Sequence, residues 1–208
     1  MKLIVFGATG GTGRQVVAQA LSAGHTVTAV ARRPDILAIR HERLTVVGGD
    51  VLEPATLAQP LAGQDAVVSA LGIRNREPTT LYSAGLANIM HAMQLASVRR
   101  LICISAGGLD PGPGIARWLA KTILWRLLHD SYIDMTRMET EVKASDLDWT
   151  IVRAPMLTDK PRVGRYQIAT NSHLSRGWSI PRADLADYIV THLADPGSYR
   201  ALVEIAAS

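Results

Sequence analysis

Short apolar runs alternate along the chain with longer stretches in which apolar residues recur at helical spacing. The runs at residues 3–6 and 66–70 contain β-branched residues and are followed within two residues by a glycine, which is typical of buried strands. The stretch at residues 83–96 has apolar side chains three or four positions apart, which predicts a helix. Strands that alternate with helices are typical of a doubly wound, mostly parallel α/β sheet. Further strands are predicted at 26–30, 44–47, 101–105, 149–153 and 202–205, and further helices at 13–23, 117–128, 135–145 and 185–193.

The alternation continues without a linker or a repeat, so residues 1–208 are predicted to form a single domain. Two segments, around 107–130 and 155–180, depart from the pattern, and each follows a predicted strand. Ligands of open α/β sheets bind beyond the carboxyl ends of the strands, so both segments are expected to line a substrate pocket. In the first segment, Trp118 and Trp125 share one face of a predicted helix. They are interpreted as core or lid residues, with contact to a planar substrate or to a partner as the alternative.

Composition narrows the classes of protein. Hydrophobic residues make up 48% of the chain and charged residues 19%, as in an ordinary globular protein. Cys103 is the one cysteine, which excludes a disulfide framework and a cysteine-rich zinc site. The six histidines lack the short spacing of a metal site, so no bound metal is expected.

Charge and hydropathy bear on partners and location. The formal net charge is +4, but the basic residues are scattered, and the pair Arg99-Arg100 is interpreted as solvated surface. A nucleic-acid partner, which usually needs a concentrated basic stripe, is therefore not expected. The chain opens directly on a strand pattern, and three cations interrupt its apolar segment 115–128. Neither a signal peptide nor a membrane span is expected, and the expected location is the cytoplasm.

A glycine-rich turn, Gly7-Ala8-Thr9-Gly10-Gly11-Thr12-Gly13, follows the first predicted strand and opens the first predicted helix. In this setting Gly7 permits a tight turn, Gly10 lets backbone N–H groups approach a diphosphate, and Gly13 permits close packing of helix and strand. A purely structural turn is the alternative. The absence of a Gly-Lys-Ser/Thr ending excludes a Walker A loop. The turn predicts dinucleotide binding by Gly7, Thr9, Gly10, Gly11, Thr12 and Gly13.

The end of the second predicted strand bears on the choice of dinucleotide. NAD sites usually place an acidic residue about 20 residues after the glycine turn, where it binds the ribose 2′-hydroxyl. Here that place holds Arg32-Arg33, and the nearest acid, Asp35, lies beyond a proline. A guanidinium can pair with a 2′-phosphate, so NADP(H) is favoured over NAD(H). Two surface arginines without a ligand are the alternative.

Further candidates follow the third, fourth and fifth predicted strands. Asp50-Val51 lies where an adenine edge is expected, and Ala70-Leu71-Gly72 ends the fourth strand beside the expected diphosphate. Arg74 follows closely enough to reach a phosphate. Each alone is compatible with an ordinary turn. Their recurrence at the ends of consecutive strands is what a single bound ligand requires.

Several segments together resemble the atypical short-chain dehydrogenase/reductases, and within them the biliverdin-IXβ reductase or NADPH-dependent flavin reductase family. The resemblance covers most of residues 1–105 and thins beyond them. It rests on Phe6 through Gly13, Val47-Gly48-Gly49-Asp50-Val51-Leu52, Gly63-Gln64-Asp65-Ala66-Val67-Val68, Leu71-Gly72-Ile73-Arg74-Asn75, Pro78-Thr79-Thr80 and Asn88-Ile89-Met90-His91-Ala92-Met93, and later on Ser105-Ala106, Leu147-Asp148-Trp149-Thr150 and Pro155.

The resemblance implies a monomeric Rossmann domain that binds NADPH and passes hydride to a flat conjugated acceptor. Flavins, linear tetrapyrroles and some quinones are the acceptors of that family. The resemblance also implies that Ser105 lies beside the nicotinamide, as the candidate catalytic residue, and that Pro155 and Met156 border cofactor and substrate. Many members have a histidine near the substrate at the position of Met156, so a histidine role does not carry over.

Standard short-chain dehydrogenases use a tyrosine with a lysine four residues later, and none of the five tyrosines here has that lysine. Alcohol–ketone redox by that pair is therefore not expected, although Tyr132 remains a candidate acid. Ser105 is interpreted either as a positioning residue or as a capping serine. Glu139 and Glu141 point to different helix faces and are interpreted as solvent contacts. Two other functions stay open, a non-catalytic NADP sensor of the NmrA type and, less in keeping with this chain, a nucleotide-sugar epimerase or dehydratase.

Overall fold

The computed structural model describes residues 1–73, 79–110 and 115–208, with side chains for all of these except 115–124 and 127. Its strands are β1 (Lys2–Phe6), β2 (Thr26–Ala31), β3 (Leu44–Gly48), β4 (Ala66–Ser69), β5 (Arg100–Ala106), β6 (Asp148–Ala154), β7 (Met156–Thr158), β8 (Tyr166–Thr170), β9 (Ser179–Pro181) and β10 (Ala201–Ala207). Its helices are α1 (Gly11–Ser22), α2 (Ala58–Leu61), α3 (Ser83–Leu95), α4 (Ile115–Ala144) and α5 (Arg182–Thr191).

Eight strands form one sheet in the order β3-β2-β1-β4-β5-β6-β10-β8, and β7 pairs with β9 apart from it. All neighbours in the large sheet are parallel except β8, which runs antiparallel to β10. The predicted doubly wound, mostly parallel fold is therefore confirmed. The strand order reverses on either side of β1, and this reversal opens a crevice beyond the carboxyl ends of β1 and β4.

Helices cover both faces of the sheet, and β1 shows why. Leu3 and Val5 pack into a core with residues of α1 and α5, whereas Ile4 and Phe6 pack into a second core with residues of α2, α3 and α4. Successive side chains of a strand point to opposite faces, so the uninterrupted apolar run of β1 requires cover on both sides. Among the described residues, no helix combines the length and apolar character needed to cross a membrane.

All seven predicted strands are present, and so are the two helices predicted after β5. They were expected at 117–128 and 135–145, and α4 consists of two helical parts that meet at a kink at Leu128, so that the second part begins before residue 135. The polar stretch 129–134 is therefore helical, and within it Asp134 is buried against α3. Its carboxylate accepts hydrogen bonds from the N–H of Tyr82 at 2.8 Å and from the N–H and hydroxyl of Ser83.

Arg100 corrects the interpretation of Arg99-Arg100 as solvated surface, because its side chain is only 4% exposed. Its guanidinium donates to the carbonyl oxygens of His192 and Leu193 at 2.9 Å and of Asp148 at 2.8 Å, and to the hydroxyls of Thr150 and Ser198. Arg100 thereby ties the amino end of β5 to the segment that follows α5.

We expect Arg100→Met to lower the free energy of unfolding by about 3 kcal/mol or more, because several buried carbonyl oxygens lose their donor together. Urea denaturation measures this loss. Arg99→Met is the matched control: Arg99 is 59% exposed and pairs with Asp148, so its loss should stay below about 1 kcal/mol. Equal effects of the two substitutions would contradict the structural role of Arg100.

Candidate functional site

The glycine turn between β1 and α1 is held by two contacts that a side chain would prevent. Gly7 has φ +76°, and a Cβ on it would overlap the carbonyl oxygen of Ala70 at the end of β4. A Cβ on Gly13 would overlap the carbonyl oxygen of Gly7. The two glycines therefore let β1, β4 and α1 meet at the crevice.

Gly10 directly precedes α1 and caps it without a side chain. The first N–H groups of a helix have no acceptor within the helix, and they carry partial positive charge. At the crevice these groups, on Gly11, Thr12 and Gly13, can bind an anion such as a diphosphate. Of the other residues predicted here, Thr9 is half-buried and Thr12 is buried. Ala70 contacts the turn directly, and Leu71 and Gly72 continue from it along the same edge.

Basic residues line the neighbouring strand end. Arg32 and Arg33 follow β2 and are exposed, and neither makes a side-chain hydrogen bond within the described part of the chain. Arg14, in the first turns of α1, donates to the carbonyl oxygen of Ile36 at 3.3 Å, and the Ile36 N–H in turn donates to the carbonyl oxygen of Arg33. Arg14 is not among the residues predicted from the sequence. Its place directly after the third glycine of the turn was the available signal.

The predicted adenine edge lies beyond β3, on the other side of β2. The Asp50 carboxylate accepts the N–H of Leu52 at 3.0 Å, and the Val51 carbonyl oxygen accepts the side-chain amide of Asn88 at 2.9 Å. These bonds hold the turn next to the end of β2. Two predicted residues are outside this description: Arg74 lies outside the described residues, and so does the side chain of Trp118.

A buried carboxylate, Glu139, organises the carboxyl ends of β5 and β6. Its Oε1 accepts the Ser105 hydroxyl at 2.8 Å and Arg153 Nε at 2.9 Å, and its Oε2 accepts Arg153 Nη2 at 2.7 Å and Lys143 Nζ at 2.9 Å. Ser105 and Arg153 are register partners on the two strands. We call Ser105, Glu139, Lys143 and Arg153 the Glu139 cluster.

Glu139 is 3% exposed, so its interpretation as a solvent contact is wrong, whereas Glu141 is exposed as expected. Burial alone would raise the pKa of the Glu139 carboxyl. The hydrogen bonds and charge of Arg153, together with Lys143 and Ser105, outweigh burial and lower this pKa. The available signal was Arg153 itself, since an arginine in an otherwise apolar strand needs a buried anion as its partner.

Charged residues continue from the Glu139 cluster toward the segment after β8. Arg153 Nη1 lies 3.7 Å from Asp110 Oδ2, which lies 3.8 Å from His173 Nε2. The other ring nitrogen of His173 is 2.7 Å from Glu204 Oε1. Glu204 on β10 is the register partner of Arg153, and its second oxygen accepts the N–H of Leu174 at 2.9 Å. These contacts fasten residues 173 and 174 to the strand ends.

Trp178 is 75% exposed although its backbone is anchored on both sides. Its carbonyl oxygen accepts the N–H of Met156 at 3.2 Å. The preceding Gly177 has φ +126°, and a Cβ on it would overlap Ala206 of β10. Met156, which follows Pro155 at the end of β6, is also exposed. Two large apolar side chains are thus held in solvent beyond the strand that bears Arg153. Trp178 is not among the residues predicted from the sequence.

Tyr132 and Trp125 lie on the other side of the β5 end. The Tyr132 hydroxyl lies so close to Gly108 that a Cβ there would overlap it, and Trp125 packs edge-on against the Tyr132 ring with centroids 5.6 Å apart. Burial raises the pKa of Tyr132, so the phenol stays protonated. A contact of Trp125 with substrate stays a prediction.

A parallel sheet with a glycine turn and a helix N-terminus at its strand reversal defines a dinucleotide-binding protein of the Rossmann type. The chain belongs to the NAD(P)H-binding family, whose model matches residues 7–196.

The photosystem II assembly factor Ycf39 of Synechocystis sp. is 30% identical over 143 residues, which are 67% of this chain and 44% of that protein. The chain thus spans less than half the length of this relative. The oxidoreductase ylbE of Lactococcus lactis has a TM-score of 0.83 at 24% identity, over 100% of this chain and 91% of that one. A short-chain dehydrogenase/reductase of Veillonella parvula in complex with NADP has a TM-score of 0.82 at 21% identity, over 99% and 94%. Both structural likenesses show the fold.

We expect Glu139→Gln to lower the free energy of unfolding at neutral pH by about 3 kcal/mol, because Arg153 loses its buried partner. A carboxyl whose pKa is lowered by folding stabilises the protein above its unfolded pKa, and that contribution is lost as pH falls through the folded pKa. The variant should therefore lose less stability than the wild type on acidification. Urea denaturation across the acidic range tests this, with Glu141→Gln as the exposed control. An unchanged pH dependence in Glu139→Gln would contradict the role assigned to Glu139.

Proposed function

We propose that the protein is an NADPH-dependent reductase that transfers hydride to a planar conjugated acceptor, a flavin such as FMN, with biliverdin or a quinone as further acceptors of this class. The observation that carries the proposal is the anchored, exposed pair Trp178 and Met156 beyond the end of β6. Exposed aromatic side chains with a fixed backbone offer a flat apolar surface at little entropic cost. The resemblance to the biliverdin-IXβ reductase or flavin reductase family supports the same class of acceptor.

The chemistry suits a site that lacks the tyrosine–lysine pair. Bound NADPH supplies the hydride, and a conjugated ring accepts it directly, so the chain has to orient the two rings and exclude water. The Ser105 hydroxyl hydrogen is engaged by Glu139, so the Ser105 oxygen would serve as a hydrogen-bond acceptor toward a bound nicotinamide. Water supplies the proton that the reduced acceptor takes up. Tyr132, which burial keeps protonated, is the described phenol nearest to the Gly107–Leu109 turn.

The preference for NADP(H) is part of the proposal. Arg32 and Arg33 follow β2 with free guanidinium groups among the described residues, and Arg14 reaches the same turn. Three guanidinium groups around one turn favour a ligand with an additional phosphate at the ribose 2′ position.

The double substitution Arg32→Ala, Arg33→Ala should weaken NADPH binding at least about tenfold and change NADH binding little, because only NADPH has the 2′-phosphate. Titration of both cofactors by fluorescence or calorimetry measures the difference. Arg99→Ala, which removes an exposed arginine directly before β5, at the amino ends of the parallel strands, is the control. Equal weakening of NADPH and NADH would remove the argument for the 2′-phosphate.

A second function is favoured by one comparison. The identity of 30% to a protein named as an assembly factor supports a non-catalytic, NADP-binding regulator of the NmrA type. Such a protein would use the exposed Trp178 and Met156 to contact a protein partner in place of a small molecule, and the missing tyrosine–lysine pair is compatible with it.

NADPH oxidation followed by absorbance, with FMN and then biliverdin against a control without enzyme, separates the two functions. We expect saturable turnover. Trp178→Ala should raise the KM for the acceptor several-fold, because stacking on one aromatic ring contributes about 1 kcal/mol, and leave the Kd for NADPH unchanged. Leu95→Ala, which removes a comparably exposed apolar side chain at the end of α3, is the matched control.

Tight NADPH binding without turnover on flavins, tetrapyrroles and quinones would overturn the reductase and favour the regulator. Turnover with an unchanged KM for the acceptor in Trp178→Ala would mean that the acceptor binds away from Trp178.

A further inference from the structure

The glycine turn has one glycine more than its own geometry requires. Gly7 and Gly13 are needed because a side chain on either would overlap backbone atoms, and Gly10 caps the helix. Gly11 is the first residue of α1, and a Cβ there would overlap no backbone atom. A Cβ on Gly11 would lie 2.8 Å from both Cδ and Nε of Arg182. The fourth glycine therefore leaves room for an arginine that crosses the turn.

Arg182 is held in this position by its surroundings. It is the first residue of α5, directly after β9, and α5 packs along α1 in the same core. The Gln19 side chain on α1 donates to the carbonyl oxygen of Ala183 at 2.8 Å, which fixes the start of α5 against α1. The guanidinium thus approaches the turn from a rigid element.

One edge of the guanidinium is occupied and the other is available. Arg182 Nη1 donates to Asp159 Oδ1 at 2.7 Å, and within the described part of the chain Nε and Nη2 have no acceptor. Nε and the adjacent Cδ are the atoms that lie against Gly11. Asp159 is 87% exposed, so this surface ion pair contributes little to stability and serves to orient the arginine.

We infer that Arg182 binds the diphosphate of the cofactor, at the phosphate on the nicotinamide side. The helix N-terminus offers only partial charges to a group with two negative charges, and a guanidinium fork supplies a full charge with directed donors. Because β9 and α5 come from the chain segment next to Met156 and Trp178, Arg182 reaches the half of the dinucleotide nearer the acceptor. The inference rests on the dinucleotide binding in the proposed function, and it does not require the reductase activity.

Arg182→Gln removes the charge and keeps most of the side chain. We expect it to weaken NADPH, NADH and ADP-ribose alike by about tenfold or more, the effect of losing a charge-assisted hydrogen bond. Adenosine 2′,5′-bisphosphate has a single 5′-phosphate and lacks the nicotinamide-side phosphate of the diphosphate, so its affinity should fall clearly less. Arg182→Lys keeps a charge without the fork and should fall between wild type and Arg182→Gln. Calorimetric titration with the four ligands, without any acceptor, measures all of these.

Arg99→Gln is the matched control, because Arg99 makes a surface ion pair with Asp148 at the amino end of β5, away from the glycine turn. It should leave all four affinities unchanged. Unchanged NADH and ADP-ribose affinities in Arg182→Gln, or a loss that Arg99→Gln reproduces, would overturn the assignment. Wild-type protein that binds no dinucleotide would overturn the assignment and the proposed function together. Selective weakening in Arg182→Gln combined with no turnover in the wild type supports the assignment and removes only the reductase.

Discussion

The close approach of β1, β4 and α1 at Gly7 and Gly13 is the constraint on which the rest of the site depends. Two backbone carbonyl oxygens occupy the space that side chains would need, so the first turn of α1 can start directly at the strand ends. That placement aims unpaired N–H groups into the crevice where the strand order reverses. The exposed arginines after β2 and Arg182 on α5 then surround this one point from two sides.

The second organising interaction is the Glu139 carboxylate. It joins a helix to two neighbouring strands by accepting hydrogen bonds from Ser105, Lys143 and Arg153, and it lies at the strand ends where the nicotinamide of a Rossmann cofactor is expected. A buried carboxylate with this many donors stays ionised, and it fixes the donor and acceptor roles of the serine. This arrangement serves orientation well and acid catalysis poorly, which agrees with the proposed acceptor, a conjugated ring that needs no strong acid.

The segment after β6 borders the site because acidic residues fasten it to the sheet and to α5. Asp184 is fully buried and accepts the N–H groups of Val163 and Gly164, while Asp187 binds Arg162 and the Tyr166 hydroxyl. With these anchors, Trp178 stays exposed without being free to collapse onto the core. An exposed aromatic residue on a fixed backbone is a feature of binding surfaces more than of folding.

The sequence by itself determined the sheet, its two helical layers and the glycine turn, because these depend on local periodicity and on steric rules that act over a few residues. The strand ends that hold Arg32, Arg33, Asp50 and Ser105 followed from the same patterns. Only the tertiary structure decided that Arg100 and Glu139 are buried, that the second helical part of α4 begins before residue 135, and that β7, β8 and β9 pair as they do. Each of these outcomes depends on partners that lie many residues away: Leu193 for Arg100, Ser105 for Glu139, Tyr82 for Asp134. A charged side chain is polar in any local pattern, and whether it reaches solvent or a buried counter-charge depends on which distant strand or helix the fold brings beside it.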